Sequence, residues 1–538
     1  TKLPNKGNYI EPQAPDLFSL KMLRGTRAGL KEPYSILLSE SVAKAFFGNA
    51  DPLGKIMRVD NRSNVKVTGV YQDLPYNSSF REMTFMLPWA LYLLENDWIE
   101  KMENPWGSNF TQTFVQLADH ADMNKVSVKI KNVKLNKIDK GEARFKPEVF
   151  LHPMSKWYLH SDWDEQGKNT GGRIQFVWLF GIIGVFVLLL ACINFMNLAT
   201  ARSEKRAKEV GIRKTVGSVR GQLVTQFFSE SLLVVAFALV LSIGLVQLIL
   251  PFFNEVADKK MTILWTNPLF WLLGVGFSLL TGLVAGSYPA LYLSSFQPVK
   301  VLKGTFRVGK LAAVPRRVLV VVQFTVSVTL IIGTMVVYRQ IQHAKARPVG
   351  YTRDGLVMTY VGTPDIHNHF EAVRDDLRTA GAIVEMTYST SPVTEVWNSN
   401  GGFHWKGKDP SLAVSFPNNG VTHEYGKTVG WQFKEGRDFS RKFATDSSAM
   451  VINEAAAKFM SLQHPVGEIV KWDDKPYTVV GVIKDMLVES PYAPVQPSVF
   501  HISKERQNVI LLKLPPSRPA RESLAKIDAV FKKYAPAL

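Results

Sequence analysis

Two short stretches contain residue types that are used in phosphate and metal sites. Residues 48–55, GNADPLGK, resemble a phosphate-binding loop, but five residues separate the glycines and Ile56 follows the lysine where Ser or Thr would hold magnesium. His367 and His369 could be two ligands of a metal site, but no third ligand is evident, and a solvated helix start explains them better. The HExxH and GxSxG patterns are absent from the sequence. The residues therefore predict no catalytic group, cofactor or metal, and we do not expect an enzyme.

The strongest chemical signal is a cationic segment, EKRAKEVGIRKTVGSVRGQLVTQFFSES (204–231). Its apolar residues recur at spacings of three and four, which predicts one helical face. These residues are Ile212, Val216, Val219, Leu223 and Phe227. Glu209 and Arg213 stand on another face at the spacing of an ion pair within a helix. Such an amphipathic helix either lies in the lipid headgroup plane or docks on a cytoplasmic protein.

Two glycines, Gly211 and Gly217, fall inside this helical pattern. A glycine in a helix interior costs about 1 kcal/mol relative to alanine. A segment that only sets membrane topology has no reason to accept that cost, whereas the close approach of another protein provides one. Topology alone stays an alternative explanation for the charges, and the glycines favour a docking surface.

The elements that would position this segment are four charge-free apolar runs. They cover residues 174–201, 231–254, 261–299 and 318–338. About 20 apolar residues are enough to cross the hydrocarbon core of a bilayer, so each run is long enough. The predicted transmembrane helices cover about 174–199, 223–253, 268–293 and 317–340.

The distribution of basic residues predicts the orientation of these helices. The loop 202–220 has seven basic and two acidic residues, and the loop 294–317 has six basic and no acidic residues. The loop 254–268 between them is neutral. Because short cationic loops stay in the cytoplasm, we expect both large polar regions on the opposite side. The net charge of +18 is therefore interpreted as a topology signal, and we expect no nucleic-acid partner.

The two polar regions repeat each other in sequence. SILLSESVAKAFFGNADPLGKIMRVDNRSNVKVTGVYQDL (35–74) aligns with AMVINEAAAKFMSLQHPVGEIVKWDDKPYTVVGVIKDM (449–486) if two single-residue gaps are allowed. Each copy predicts a strand, a helix capped by Ser39 or Asn453, a Pro-x-Gly turn and two strands joined by a polar turn. The equivalent residues include Glu40 and Glu454, Gly54 and Gly467, and Gly69 and Gly481.

The predicted fold class is a membrane protein, an α-helical transmembrane bundle with two duplicated α+β extracytoplasmic domains. Residues 1–172 form the first of these domains and residues 341–538 the second. Residues 173–340 hold the four transmembrane helices and a cytoplasmic coupling segment, 201–222. The single cysteine, Cys192, lies in the first predicted span, so no disulfide is expected in the outside domains.

Three motifs resemble the FtsX/MacB-type permeases of ABC transporters. They are the 204–231 segment, GSYPALYLSSFQPVKVLKG (286–304), and NEAAAKFM with PVGEIV in the repeats. The resemblance covers essentially the whole chain and implies that the outside domains are MacB-like periplasmic core domains. Within the family, the chain resembles the eight-span, two-half permeases of Bacteroidetes-type bacteria, so we expect it to be truncated at both ends.

The resemblance also implies partners and a site. It identifies the cytoplasmic segment as a coupling helix that docks on a separate cytoplasmic ABC ATPase subunit. The expected ATPase-coupling residues are Lys208, Glu209, Gly211, Ile212, Arg213, Lys214, Gly217 and Ser218. Further implied partners are the lipid bilayer and a periplasmic adaptor or outer-membrane protein. The implied location is the bacterial inner membrane, with the large domains in the periplasm.

Two function classes follow. The first is a permease subunit that couples ATP hydrolysis by the separate ATPase to conformational change of periplasmic domains, for mechanotransmission, efflux, or lipoprotein or peptide export. The second is a non-transporting membrane receptor or scaffold that regulates a periplasmic partner such as a cell-wall hydrolase. An ATPase gene beside this one would favour the first class.

Overall fold

The computed structural model describes residues 3, 5–102, 104–164, 166–201, 203–295, 313–360, 364–503 and 509–536. The chain divides into two compact units. One combines Thr1–Leu151 with Gln342–Leu538, and the other is His152–Ile341. The first unit contains both sequence repeats, and the second contains the apolar helices.

The first repeat is built on a six-stranded sheet. Its strands are β1 (Gly7–Ile10), β2 (Met22–Gly25), β3 (Ser35–Ser39), β4 (Ile56–Val59), β5 (Ser63–Tyr71) and β6 (Phe85–Pro88). Their order is β1-β6-β3-β5-β2, with β4 paired to β5. The helices of this region are α1 (Ala14–Leu17), α2 (Glu40–Phe47), α3 (Trp89–Glu95), α4 (Met123–Ile130) and α5 (Lys140–Ala143).

Helix α2 covers one face of this sheet because its apolar residues recur at helical spacing. Val42 and Ala43 are buried and belong to one core cluster with Ile36 and Leu38 of β3. The predicted side-chain cap by Ser39 is wrong, since the Ser39 hydroxyl makes no capping hydrogen bond.

The first turn of α2 is held from another strand instead. The backbone N–H of Ser41 donates to Asp73 Oδ1 at 3.0 Å, just beyond the end of β5. A carboxylate at this position satisfies one of the free N–H groups that open a helix and favours the positive end of its dipole.

The second unit contains a short hairpin and five α-helices within its described residues, the last of which continues past Ile341. The hairpin is formed by β7 (Asp162–Trp163) and β8 (Asn169–Gly171). The helices are α6 (Ile174–Ala201), α7 (Ser203–Thr215), α8 (Arg220–Ala257), α9 (Pro268–Ser294) and α10 (Ala313–Ala346).

Four of these helices are long and apolar enough to cross a membrane. The candidate spans are Ile174–Ala199, Arg220–Ala257, Pro268–Tyr292 and Arg317–Ala346. The prediction of four apolar helices is confirmed, and the second helix begins three residues before the predicted start near residue 223. The α8 and α9 pair is closely packed, because a Cβ added to Gly282 would lie 2.6 Å from Leu232 Cδ2 and one added to Gly286 would lie 2.8 Å from Ser231 Oγ.

The second repeat is built on a separate sheet, which has eleven strands within the described residues. The strands are β9 (Leu356–Tyr360), β10 (Glu385–Ser389), β11 (Ser399–Asn400), β12 (Phe403–Trp405), β13 (Phe416–Val421), β14 (Phe433–Gly436), β15 (Ala449–Asn453), β16 (Ile469–Trp472), β17 (Lys475–Ile483), β18 (Val499–Ile502) and β19 (Val509–Lys513). The helices are α11 (Pro364–Asn368), α12 (Phe370–Thr379), α13 (Tyr425–Val429), α14 (Glu454–Phe459) and α15 (Ala520–Tyr534). The main order is β12-β16-β17-β15-β18-β13-β10-β19-β9.

The predicted repeat is confirmed by the strand pairing. β5 is parallel to β3 and antiparallel to β2 and β4, and β17 has the same relations to β15, β14 and β16. Gly54 and Gly467 both have positive φ, +75° and +94°. Each donates its backbone N–H to a strand carbonyl, Val67 or Val479, at 2.8 Å.

Each copy also needs a glycine at the end of its outer strand. Gly25 and Gly436 have φ of +70° and +78°, and a Cβ on either would lie 2.3 Å from the carbonyl oxygen of Thr68 or Val480. Only glycine fits such a close approach with a left-handed backbone. The glycines that end KMLRG (21–25) and FKEG (433–436) therefore occupy equivalent positions in the fold.

Candidate functional site

The candidate site is the cationic segment between the first two spans. Helix α7 and a turn of residues 216–219 form it, and α8 follows directly. Val210 of α7 is buried in a cluster with Leu223 and Phe227 of α8 and Ala290 of α9. One side of the segment therefore packs on two of the apolar helices.

Polar contacts hold the same side of the segment. Lys214 Nζ donates to the backbone carbonyl of Ser294, the last residue of α9, at 2.7 Å. Arg220 Nε donates to Ser294 Oγ at 3.4 Å. Cations at this position satisfy a carbonyl that the helix end leaves free. Burial, and then the nearby charge of Arg220, lower the pKa of Lys214.

The predicted ion pair on α7 is confirmed. Arg213 Nη2 lies 2.8 Å from Glu209 Oε1, and Arg213 also donates to the side chain of Gln226. Both partners are exposed, so the pair contributes less than about 1 kcal/mol to stability. Its main effect is to fix the position of two opposite charges on the outer side of the segment.

The two glycines have different roles, and neither matches the prediction fully. Helix α7 ends at Thr215, so the expectation that Gly217 lies inside a helix is wrong. Gly217 has φ of +108° with open space around it, which identifies it as a residue of the turn. Gly211 lies within α7 and is buried, so this chain itself covers the glycine.

The prediction of one continuous apolar face is also wrong. Leu223 and Phe227 are buried, as a face of α8 requires. The other three residues of the predicted face are exposed, because the turn separates α7 from α8 and changes the direction of the chain. Ile212 is 54% exposed, Val216 84% and Val219 60%. These three exposed apolar residues lie within eight positions of the segment and are called the exposed apolar ridge. Sequence reasoning missed Val216 and Val219 because it assigned them to the same face as Leu223.

Parts of the predicted site are outside the described residues. The backbone of Lys208 lies in α7, whereas its side chain is outside the described part of the chain. Most of the second cationic loop, residues 296–312, is also outside it. Ser218 lies in the turn and donates its N–H to the carbonyl of Arg213 at 3.0 Å.

The residues that resembled metal and phosphate sites take part in packing, backbone contacts and a turn. His367 packs near the ring of Tyr388 with centroids 5.4 Å apart, and Nδ1 of His369 lies 2.8 Å from the carbonyl of Asp365. Among the described residues, no group of three or more His, Cys, Asp or Glu side chains could hold a metal. The stretch 48–55 forms the turn from α2 into β4.

Two family descriptions match the chain. The FtsX-like permease C-terminal family matches residues 181–298. The MacB-like periplasmic core domain matches residues 3–133 and 318–530, more than half of the chain.

Named relatives are similar over about half of the chain. The macrolide export ATP-binding/permease protein MacB of Bdellovibrio bacteriovorus is 24% identical over 281 residues, which are 50% of this chain and 38% of that protein. The uncharacterized ABC transporter permease YknZ of Bacillus subtilis is 23% identical over 286 residues, 52% of this chain and 62% of that protein. The matched part is therefore less than two thirds of either relative.

Two solved structures that are similar to part of this chain also come from proteins named MacB and YknZ. The periplasmic region of MacB from Actinobacillus actinomycetemcomitans has 16% identity and a TM-score of 0.25, covering 34% of this chain and 85% of that one. The extracellular domain of YknZ has 13% identity and a TM-score of 0.24, covering 30% and 82%. The family assignment rests on the sequence matches, and by these the chain belongs to the FtsX/MacB family of ABC transporter permeases, with MacB-like periplasmic core domains matched on both sides of the FtsX-like segment.

Proposed function

We propose that this chain is the permease subunit of an ABC transporter in the bacterial inner membrane, with its two repeat domains in the periplasm. A separate cytoplasmic ATPase docks on the segment 203–219 and drives conformational change of the periplasmic domains. Mechanotransmission, efflux, and export of lipoproteins or peptides share this step. A periplasmic adaptor or outer-membrane protein would be a further partner.

The observation that carries the proposal is the exposed apolar ridge of Ile212, Val216 and Val219. The Glu209–Arg213 pair lies beside this ridge on α7. Apolar anchors surrounded by placed charges are the usual composition of a protein docking surface. A segment that only sets topology needs the charges but not the exposed valines.

The inner side of the segment explains how docking would move the spans. Val210 and Lys214 contact α8 and α9 directly, and α8 and α9 are packed without space for an added methyl group at Gly282 or Gly286. A force on the ridge would therefore be transmitted to two helices as one body.

This arrangement divides the expected coupling residues into two groups. Glu209, Ile212 and Arg213 are exposed and would face the ATPase, together with the turn residues Gly217 and Ser218. Gly211 and Lys214 are turned inward and would hold the segment in place. The role of Lys208 stays a prediction.

The test is Val216→Asp with Thr215→Asp as its matched control. Both changes add one negative charge at neighbouring exposed positions, so they alter the charge of the loop equally. Burying an unpaired carboxylate in place of an apolar anchor should weaken ATPase docking by about tenfold or more. The measurement is the amount of ATPase that co-purifies with the permease from membranes of cells expressing both.

Equal ATPase recovery with Val216→Asp and the unaltered chain would contradict the ridge as a docking site. Equal loss in both variants would attribute the effect to loop charge instead. If no ATPase is recovered with the unaltered chain, the receptor or scaffold class is favoured, and its periplasmic partner becomes the object of the search.

A further inference from the structure

Three chain segments meet where α6 begins and α8 ends, at the end of these helices opposite to α7. Arg173 precedes α6, Lys259 follows α8, and Tyr158 belongs to the segment of residues 152–172. The guanidinium carbon of Arg173 lies 4.5 Å from the centroid of the Tyr158 ring. A hydrogen bond from Arg173 and the charge of Lys259 lower the pKa of Tyr158. Two cations from separate segments therefore approach one phenol.

The backbone fixes the position of Tyr158. The N–H of Ile174, the first residue of α6, donates to the carbonyl of Leu159 at 3.0 Å. Gly172 has φ of +125°, and a Cβ there would lie 3.0 Å from the backbone nitrogen of Ser161. The segment is thus folded back against the start of the helix, which holds the tyrosine beside Arg173.

The cations at this position are not held in ion pairs within the described part of the chain. No carboxylate there forms an ion pair with Arg173 or Lys259, and both side chains are exposed. The neighbouring Asp164 is used by its own turn, since Oδ1 accepts the backbone N–H groups of Gln166 and Lys168 at 3.0 and 2.8 Å. Two cations without a carboxylate partner beside a hydroxyl have the composition of an anion site.

Aromatic residues place this site at the membrane surface. Trp163 of the hairpin, Trp178 in the second turn of α6 and Trp265 between α8 and α9 are all exposed. The indole N–H of Trp271 donates to the carbonyl of Trp265 at 2.9 Å. Exposed tryptophans at the ends of apolar helices are typical of the headgroup region of a bilayer.

We propose that Arg173, Lys259 and Tyr158 bind the phosphate of an anionic phospholipid in the outer leaflet. Arginine offers two parallel donors to a phosphate, lysine adds a point charge, and the phenol donates one hydrogen bond. The acyl chains would lie on the exposed apolar faces of α6 and α8. This site is independent of the ATPase docking surface at the other end of the same helices.

The test compares lipid retention by the full chain in nanodiscs that contain phosphatidylglycerol and phosphatidylcholine. Native mass spectrometry reports the lipids that stay bound. The unaltered chain should retain phosphatidylglycerol in preference to phosphatidylcholine. Arg173→Gln combined with Lys259→Gln should weaken this binding by about 25-fold, since each cation near an anionic surface contributes roughly fivefold. Tyr158→Phe should weaken it by a few fold while keeping the ring.

The matched control is Lys156→Gln combined with Lys168→Gln, which removes two exposed cations from the same segment. Insertion should be normal in all variants, because fewer cations at the outer end do not oppose the topology signal. Equal retention of both lipids by the unaltered chain, or equal loss in the control, would overturn the proposal. Displacement of the lipid by millimolar inorganic phosphate would assign the site to free phosphate and overturn its assignment to a lipid.

Discussion

Replacing Glu385 by glutamine tests whether a buried charge cluster holds the second repeat domain together. Glu385 of β10 has a side chain only 1% exposed, and it accepts from Arg374 Nε at 2.6 Å and Lys427 Nζ at 3.1 Å. Arg374 of α12 is 13% exposed and also lies 3.5 Å from Glu371. The carboxylate therefore joins a helix, a strand and α13.

The expected cost of Glu385→Gln is about 3 kcal/mol, the lower end of the range for removing one member of a buried ion pair. The glutamine keeps the size of the side chain but leaves the buried guanidinium beside a neutral amide. Two features keep the cost from being higher. Lys427 is exposed and can be hydrated, and Arg374 keeps its contact with Glu371.

The assay is backbone hydrogen exchange of the full chain, read from peptides that cover β10 and β19. These strands pair from Glu385 with Lys513 to Ser389 with Val509. A loss of about 3 kcal/mol should speed exchange through local opening by roughly a hundredfold. Glu371→Gln, at an exposed position, should change exchange by less than about fivefold.

A second variant separates the charge from the packing. Arg374→Met combined with Glu385→Met removes both charges and should recover most of the lost protection, because an apolar pair of similar volume replaces a buried ion pair without penalty. If Glu385→Gln exchanges like the unaltered chain, or if the double variant is worse than the single one, the reasoning is refuted.

The same cluster predicts the acid sensitivity of this domain. Burial alone would raise the pKa of Glu385, but hydrogen bonds from Arg374, the Met386 N–H and Lys427 outweigh it and hold the pKa below its ordinary value. A lowered carboxylate pKa contributes stability above the unfolded-state pKa, and that stability is lost as the pH falls through the folded-state pKa. Protection of β10 should therefore persist at neutral pH and decrease in acid, below the ordinary glutamate range.

Two further predictions concern topology and a second carboxyl group. Cysteine at Ser218 should be shielded from a membrane-impermeant thiol reagent in intact cells, whereas cysteine at Asn77 or Ser447 should react. Labelling of the Ser218 variant from outside would contradict the topology. Cysteine at Gly309, in the second cationic loop, should also be shielded, and this position is outside the described residues. Burial raises the pKa of Asp438 to about 6, so its protonated form favours folding and that contribution is lost as the pH rises from about 4 through 6. The second repeat domain should thus gain protection between pH 7 and 5, and Asp438→Asn should abolish this gain.

The repeat could be predicted from the sequence because its marks are backbone requirements. Gly54 and Gly467 occupy equivalent left-handed turns, and Gly25 and Gly436 leave no space for a side chain. Such positions strongly favour glycine, so they stay recognisable in both copies when most other residues differ. The four apolar helices were predictable for a similar reason, since the bilayer sets their length and composition.

The coupling segment was predictable only in part. Its charge and helical spacing identified α7 and the Glu209–Arg213 pair. The break at Gly217 was not identified, because a glycine in a periodic pattern is compatible with either a helix interior or a helix end. The charge cluster around Glu385 could not be predicted, since Arg374 and Lys427 lie 11 and 42 residues away and only the fold brings them to the carboxylate.

The two repeats share their backbone devices but present different surfaces around the equivalent helix. In both, an aspartate beyond the long strand accepts an N–H from the first helical turn, Asp73 from Ser41 and Asp485 from Ala455. In the second repeat, Lys434 pairs with Glu454, the first residue of α14, at 2.8 Å. Counting back from the equivalent glycines Gly25 and Gly436, the position of Lys434 is taken in the first repeat by Leu23, which is exposed.

An apolar side chain and an ion-paired lysine at the same position favour different partners. A protein that packs on Leu23 would have to desolvate Lys434 to bind the second repeat in the same way, and burying that ammonium would be unfavourable unless a carboxylate accompanied it. The duplication therefore provides two similar scaffolds whose surfaces differ in polarity and charge at this position. Because the shared devices are set by backbone geometry, such surface differences can arise without changing the fold of either copy.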